Sequence, residues 1–236
     1  MARSSPQVPN RPKAAGPNTM LARQSLAEKP PSAAHTIPHQ APAIPLEERL
    51  IVALDVPSVE EARDVIGELG DAVSFYKIGL QLQYNGGLEL AKELISEGKK
   101  VFLDSKLFDI EQTITNAVQN VAKMGVTFLT VHGERKPIEA AVKGRGTSSL
   151  RILAVTFLTN LDEHDLKDLH FPGTIEQLVM FRTQLAITAG ADGVIASGLE
   201  TAKVRQLAGC KLTIVVPGIR PEGVPTNDQR RPVTPF

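Results

Sequence analysis

Val101-Phe102-Leu103-Asp104-Ser105-Lys106-Leu107-Phe108-Asp109 sets a lysine between two carboxylates directly after an apolar run that reads as a β-strand. Side chains two apart on an extended backbone point to the same side, so Asp104 and Lys106 share one face of that strand end. Asp109 follows in the loop, close enough in sequence to join them or to reach a neighbouring subunit. Surrounding carboxylates favour the charged ammonium. A fixed ammonium suits stabilising a developing carbanion and then protonating it. The competing reading is a solvated salt-bridge cluster, which uses the same residue types. The other strand ends decide between the two.

Working outward, the chain from Glu47 onward alternates strands and helices. Leu50–Leu54 is an apolar β run, and Ser58 with Glu61 three residues on forms a capping box for the next helix. Val73–Ile78 predicts a second strand, followed by a helix over Gly87–Glu97. Lys100–Leu103 is the third strand. A helix over Ile110–Met124 then ends at Gly125, a residue type common at helix C-termini. Val126–Val131 is the fourth strand, with a short helix from Pro137, and Leu150–Val155 is the fifth. Ile175–Ala189 reads as a helix closed by Gly190, and Asp192–Ala196 and Leu212–Val216 bring the count to seven strands. Repeated βα units with apolar strands imply a parallel sheet covered by helices.

A doubly wound sheet and a TIM (β/α)8 barrel both fit that alternation. Polar residues end nearly every strand: Asp55, Lys77, Asp104, His132, Thr156 and Pro217-Gly218. A barrel with its active site at the C-terminal face distributes such residues this way. No Gly-rich turn follows the first strand, which counts against a dinucleotide-binding fold. The expected fold is therefore an α/β (β/α) barrel, with the eighth strand missing from this chain.

The composition narrows the function. The chain has 236 residues with 26 basic and 26 acidic side chains, and no basic stripe interleaved with aromatics supports nucleic-acid binding. No apolar stretch approaches the roughly 20 residues needed to span a bilayer. The single cysteine, Cys210, excludes an intramolecular disulfide and fits a cytoplasmic protein; it reads as a buried structural thiol. Residues 1–46 hold nine of the 17 prolines, no aromatic residue, and five basic residues against Glu28 alone. That composition predicts a disordered N-terminal extension, with the barrel domain over 47–236.

The strand-end motifs together resemble the bacterial type of orotidine 5′-phosphate decarboxylase. They are Ala53-Leu54-Asp55, Tyr76-Lys77-Ile78-Gly79, Asp104 to Asp109, Thr130-Val131-His132, Ala154-Val155-Thr156-Phe157-Leu158-Thr159, Pro217-Gly218-Ile219-Arg220-Pro221 and Asp228-Gln229-Arg230-Arg231, spread over roughly residues 48–235. The resemblance implies decarboxylation of orotidine 5′-phosphate to UMP in de novo pyrimidine biosynthesis, without metal or organic cofactor. It also implies a homodimer with shared active sites. Lys106, Asp104, Asp109 and Lys77 would be the catalytic residues, Asp109 being delivered to the other subunit. Asp55 would bind the ribose hydroxyls, and Ile110 would pack beside the pyrimidine. Thr156 and Thr159 would contact ribose and pyrimidine, and Pro217 would line the base pocket. Arg220 would belong to the phosphate-binding turn and Gln229 to the loop that closes over the phosphate. His132 reads as a packed or supporting histidine rather than a general base, and Arg230 and Arg231 as solvated charges or aids to phosphate closure.

Two departures from the pattern stand out. After His132 the family often has a small-residue turn, where this chain reads Gly133-Glu134-Arg135-Lys136. The family also continues past the final Thr-Pro with a helix, an eighth strand and a Gly-Arg turn, whereas this sequence stops at Pro235-Phe236. Reduced activity is the expectation from that second departure. The alternatives are a Mg2+-dependent sugar-phosphate decarboxylase of the same superfamily, or a catalytically impaired remnant.

Overall fold

A computed structural model describes residues 44–223, 231 and 233–235; Gln229 and nearly all of the 1–46 extension lie outside them. Among the described residues, seven parallel strands form one sheet in chain order: β1 (Val52–Ala53), β2 (Phe75–Gly79), β3 (Lys100–Leu107), β4 (Phe128–His132), β5 (Arg151–Val155), β6 (Gly193–Ile195) and β7 (Thr213–Val215). The helices between them are α1 (Val59–Leu69), α2 (Leu80–Leu82), α3 (Leu88–Ser96), α4 (Glu111–Lys123), α5 (Arg135–Arg145), α6 (Glu163–Asp168), α7 (Ile175–Ala189) and α8 (Thr201–Ala208).

The two-residue period of the strands sorts the core into two layers. Tyr76 and Ile78, Val101 and Leu103, Leu129 and Val131, and Ile152 and Ala154 face the helices and join the large core cluster. Phe75, Phe102, Phe128, Leu153, Val155 and Ile195, from β2 through β6, face the other way and pack on one another. The Phe75 and Phe128 rings are 5.2 Å apart although their strands are not neighbours in the sheet. A single cavity of about 310 Å3 touches Ile51, Phe75, Phe128, Arg151 and Val215, which lie beside or on β1, β2, β4, β5 and β7. One space reaching both ends of the strand order requires a curled sheet, as in a (β/α) barrel. Further along β2, β3 and β4 the inner row turns polar: Phe75 is followed by Lys77, Phe102 by Asp104, and Phe128 by Thr130 and His132. Apolar packing at one end of the strands thus holds a charged rim at the other.

Local signals behave as expected at several ends. Ser58 Oγ accepts from the Glu61 amide at 3.2 Å, half of the expected capping box, the Glu61 carboxylate taking the Ser58 hydroxyl instead of its backbone amide. Gly190 closes α7 in the left-handed region at φ 80°. Four expectations need correction. β3 runs to Leu107, not Leu103, because the charged residues continue the inner row instead of ending the strand. α5 starts at Arg135, before Pro137, which sits in the first turn where its missing amide costs nothing. α6 is absent from the sequence reading; its capping box, Asp162 with Asp165, places an aspartate at N3 where a glutamate or glutamine is the usual signal. Cys210 is exposed, because it lies in the turn after α8 rather than under it.

Candidate active site

Four side chains from three adjacent strand ends form a line of alternating charge. Lys77 Nζ lies 2.8 Å from Asp55 Oδ1 and 3.7 Å from Asp104 Oδ2, and Lys106 Nζ lies 2.9 Å from the same Asp104 oxygen. The two inner groups are the least exposed: 18% for Lys77 and 15% for Asp104, against 62% for the Asp55 side chain and 31% for Lys106. Each lysine therefore answers a carboxylate in a partly desolvated rim, where interactions between charges are stronger than in water. Gly79 keeps this spot open, since a Cβ there would come within 3.1 Å of Asp55 Oδ1.

Lys106 reaches the line through a break in the sheet. Between Leu103↔Leu129 and Leu107↔Val131, β3 spends four residues where β4 spends two. Lys106 takes a φ of +46°, in the left-handed region that a side chain disfavours. A bulge of this kind re-aims a side chain that a regular ladder would leave parallel to its neighbours. Its amide, freed from the ladder, donates to Thr130 Oγ1 at 3.0 Å, and that hydroxyl donates to Asp104 Oδ1 at 2.9 Å. On the flank, Ser105 Oγ donates to Gln83 Oε1 at 2.8 Å, and Gln83 Nε2 donates to the Ile78 carbonyl at 2.8 Å.

The remaining expected residues fall into three groups. Asp109 is exposed; its Oδ1 accepts from the Ile110 amide at 2.6 Å, and among the described residues it pairs with no lysine. Ile110 is 75% exposed and Phe108 66%. Thr156 and Thr159 are buried beyond β5, and the Thr156 hydroxyl donates to the Ile195 carbonyl at 2.7 Å. Pro217 and Arg220 are half-buried after β7, where the Arg220 amide donates to the Val233 carbonyl at 2.9 Å.

Sequence comparison matches residues 48–235 to the orotidine 5′-phosphate decarboxylase / HUMPS family. The chain belongs to this family. It is 52% identical over 189 residues to orotidine 5′-phosphate decarboxylase of Nitrobacter winogradskyi, a match covering 80% of this chain and 79% of that protein. It is 48% identical over 188 residues to the Rhodopseudomonas palustris enzyme of the same name, covering 80% of each. Among solved structures, orotidine 5′-phosphate decarboxylase from Lactobacillus acidophilus superposes with a TM-score of 0.68 at 38% identity, covering 73% of this chain and 81% of that one. An uncharacterised conserved protein from Geobacillus kaustophilus superposes with a TM-score of 0.66 at 34% identity, covering 71% and 82%.

Within this family setting, the departure after His132 has a structural role that the sequence did not disclose. The Arg182 guanidinium, on α7, bonds Glu134 and also donates to the Thr156 carbonyl at 2.8 Å. His132 Nδ1 faces Glu134 Oε2 at 3.4 Å, an ion-pair distance, and its ring lies 5.1 Å from that of Phe108. His132 and then Arg182 hold the Glu134 carboxyl below the usual carboxylate range, against the opposing effect of partial burial. Arg231 is not solvated. It pairs with Glu200 at 2.6 Å with the two side chains 10% and 9% exposed, and its guanidinium lies 5.7 Å from the Phe157 ring centre. Burial pushes the Glu200 carboxyl up, against the pull of Arg231.

Proposed function

We propose that this chain decarboxylates orotidine 5′-phosphate to UMP, with Lys106 as the proton donor. The observation that carries the reading is the Asp55–Lys77–Asp104–Lys106 line at the strand ends of a member of this family. Loss of CO2 breaks the bond between C6 of the pyrimidine and its carboxyl carbon and leaves the electron pair on C6. The Lys106 ammonium stabilises that pair and then gives it a proton, and solvent reprotonates the amine. Asp104 sits beside the departing carboxylate, while Lys77 ties Asp104 to the ribose-binding Asp55. Ile110, Thr159 and Pro217 contact the nucleoside, and Thr156 supports that wall from behind through its bond to the Ile195 carbonyl. Arg220 and Gln229 take the phosphate, whose binding energy is available for closing the site.

The site is completed by a second copy of the chain in a cytoplasmic homodimer. Asp109 has no lysine partner within its own subunit among the described residues, and Tyr84, Phe108 and Ile110 expose large apolar surface, as an interface does. The strand order β1 to β7 and the cavity reaching both outer strands support a (β/α) barrel.

Turnover in D2O tests the reaction. Orotidylate should yield UMP with deuterium at C6, unaffected by a chelator. Unchanged orotidylate, together with chelator-sensitive CO2 release from a sugar-phosphate acid, would assign the chain to the metal-dependent branch instead.

A further inference from the structure

Thr130 lies in the middle of β4, in a run (Phe128-Leu129-Thr130-Val131-His132) whose residue types all suit a strand. It is fully buried, at 0% exposure. Its side chain stands on the inner row between Phe128, which packs in the barrel interior, and His132 at the rim. Its hydroxyl is used twice, accepting the Lys106 amide at 3.0 Å and donating to Asp104 Oδ1 at 2.9 Å.

These two bonds fall where β3 is irregular. The bulge between Leu103 and Leu107 withdraws backbone groups from the β3–β4 ladder, and the left-handed turn at Lys106 is a strained conformation that the surroundings must hold. A valine would fill the same volume but leave the Lys106 amide without its acceptor. The same hydroxyl also fixes the rotation of the Asp104 carboxylate. With Oδ1 engaged by Thr130, Oδ2 is turned toward Lys106 at 2.9 Å and Lys77 at 3.7 Å.

We infer that Thr130 is the positioning residue of this active site: its single hydroxyl holds the Lys106 backbone in the bulge and orients Asp104 toward both lysines. The inference rests on the decarboxylase reading for its kinetic consequence, though not for its geometry. Thr130 itself touches no reacting atom. Its loss should therefore reduce the fraction of sites with Lys106 in place without removing any contact to substrate.

The test compares Thr130→Val and Thr130→Ser with the full-length wild-type chain, by steady-state kinetics on orotidylate and by hydrogen exchange of the Lys106 amide. Thr130→Val should lower kcat by about 10- to 100-fold, as loss of a group that orients a site residue does elsewhere, with KM changed less than about threefold. Its Lys106 amide should exchange at least about tenfold faster, while the amides of Leu129 and Val131 keep their protection. Thr130→Ser should restore both. A Thr130→Val enzyme with wild-type kcat, or with unchanged Lys106 exchange, would overturn the inference. A serine variant as impaired as the valine one would also overturn it, by tracing the effect to packing rather than to the hydroxyl. If the wild-type chain leaves orotidylate untouched, the decarboxylase reading fails, and the exchange comparison alone still decides the positioning role.

Discussion

At the scale of single residues, the central pair was legible and its support was not. The two-residue spacing sets Asp104 and Lys106 close together, but their 2.9 Å contact is made through the β3 bulge, where Lys106 leaves the extended conformation, and not by strand alternation. The left-handed φ of Lys106 left no mark in the sequence, since neither Gly nor Asn stands there. Glu134 and Arg182 meet across 48 residues, a pairing that no local pattern announces. It carries a pH prediction. The Glu134 carboxyl is held below its value of 4.5 in the unfolded chain, first by His132 and then by Arg182. Its contribution to stability is therefore complete above that pH and is lost as pH falls through the folded-state value. Thermal unfolding of Glu134→Gln from pH 7 to pH 3 should show a shallower acid decline in Tm than the wild type. Identical acid limbs would remove Glu134 from the acid response.

At the scale of elements, apolar runs and glycine stops located the strands and most helices, but failed where function interrupts the pattern. The apolar run stops at Leu103, yet β3 continues to Leu107, because the inner row of a barrel strand can carry charges at its C-terminal end. The segment after β7 shows the opposite error. Arg231, which as a sequence feature passes for a solvated charge, pairs with Glu200, the residue directly before α8. Ser197 Oγ adds a 3.4 Å bond to the Arg231 carbonyl, and Val233 bridges to Ile219. Glu200→Ala would strand a guanidinium that is nine-tenths buried. Breaking a buried pair in this way should destabilise the fold by about 3–5 kcal/mol. Denaturant unfolding would measure it, and a loss below about 1 kcal/mol would show that water reaches Arg231 and replaces the carboxylate.

At the scale of the whole molecule, the strand order β1 to β7 was legible because repeated βα units leave few alternatives. A role for Asp109 in a second subunit's site could be read only through the family. If Asp109 crosses to the partner's site, Asp109→Ala and Lys106→Ala should each be inactive alone. Mixed and re-equilibrated, they should recover about a quarter of wild-type turnover, because half of the dimers then carry one intact site. Absence of recovery despite confirmed subunit exchange would confine each site to one subunit. UMP at 100 times its dissociation constant should stabilise the native state by about 2.7 kcal/mol, raising Tm, if the chain holds a competent nucleotide site.

The most direct measurement is the loss of orotidylate ultraviolet absorbance with the wild-type chain beside Lys106→Ala. Turnover by the wild type, with a drop of at least about 1000-fold in a folded Lys106→Ala variant, is the predicted result. A folded variant that retained most of the activity would contradict the assignment of Lys106 as the group that stabilises and protonates C6.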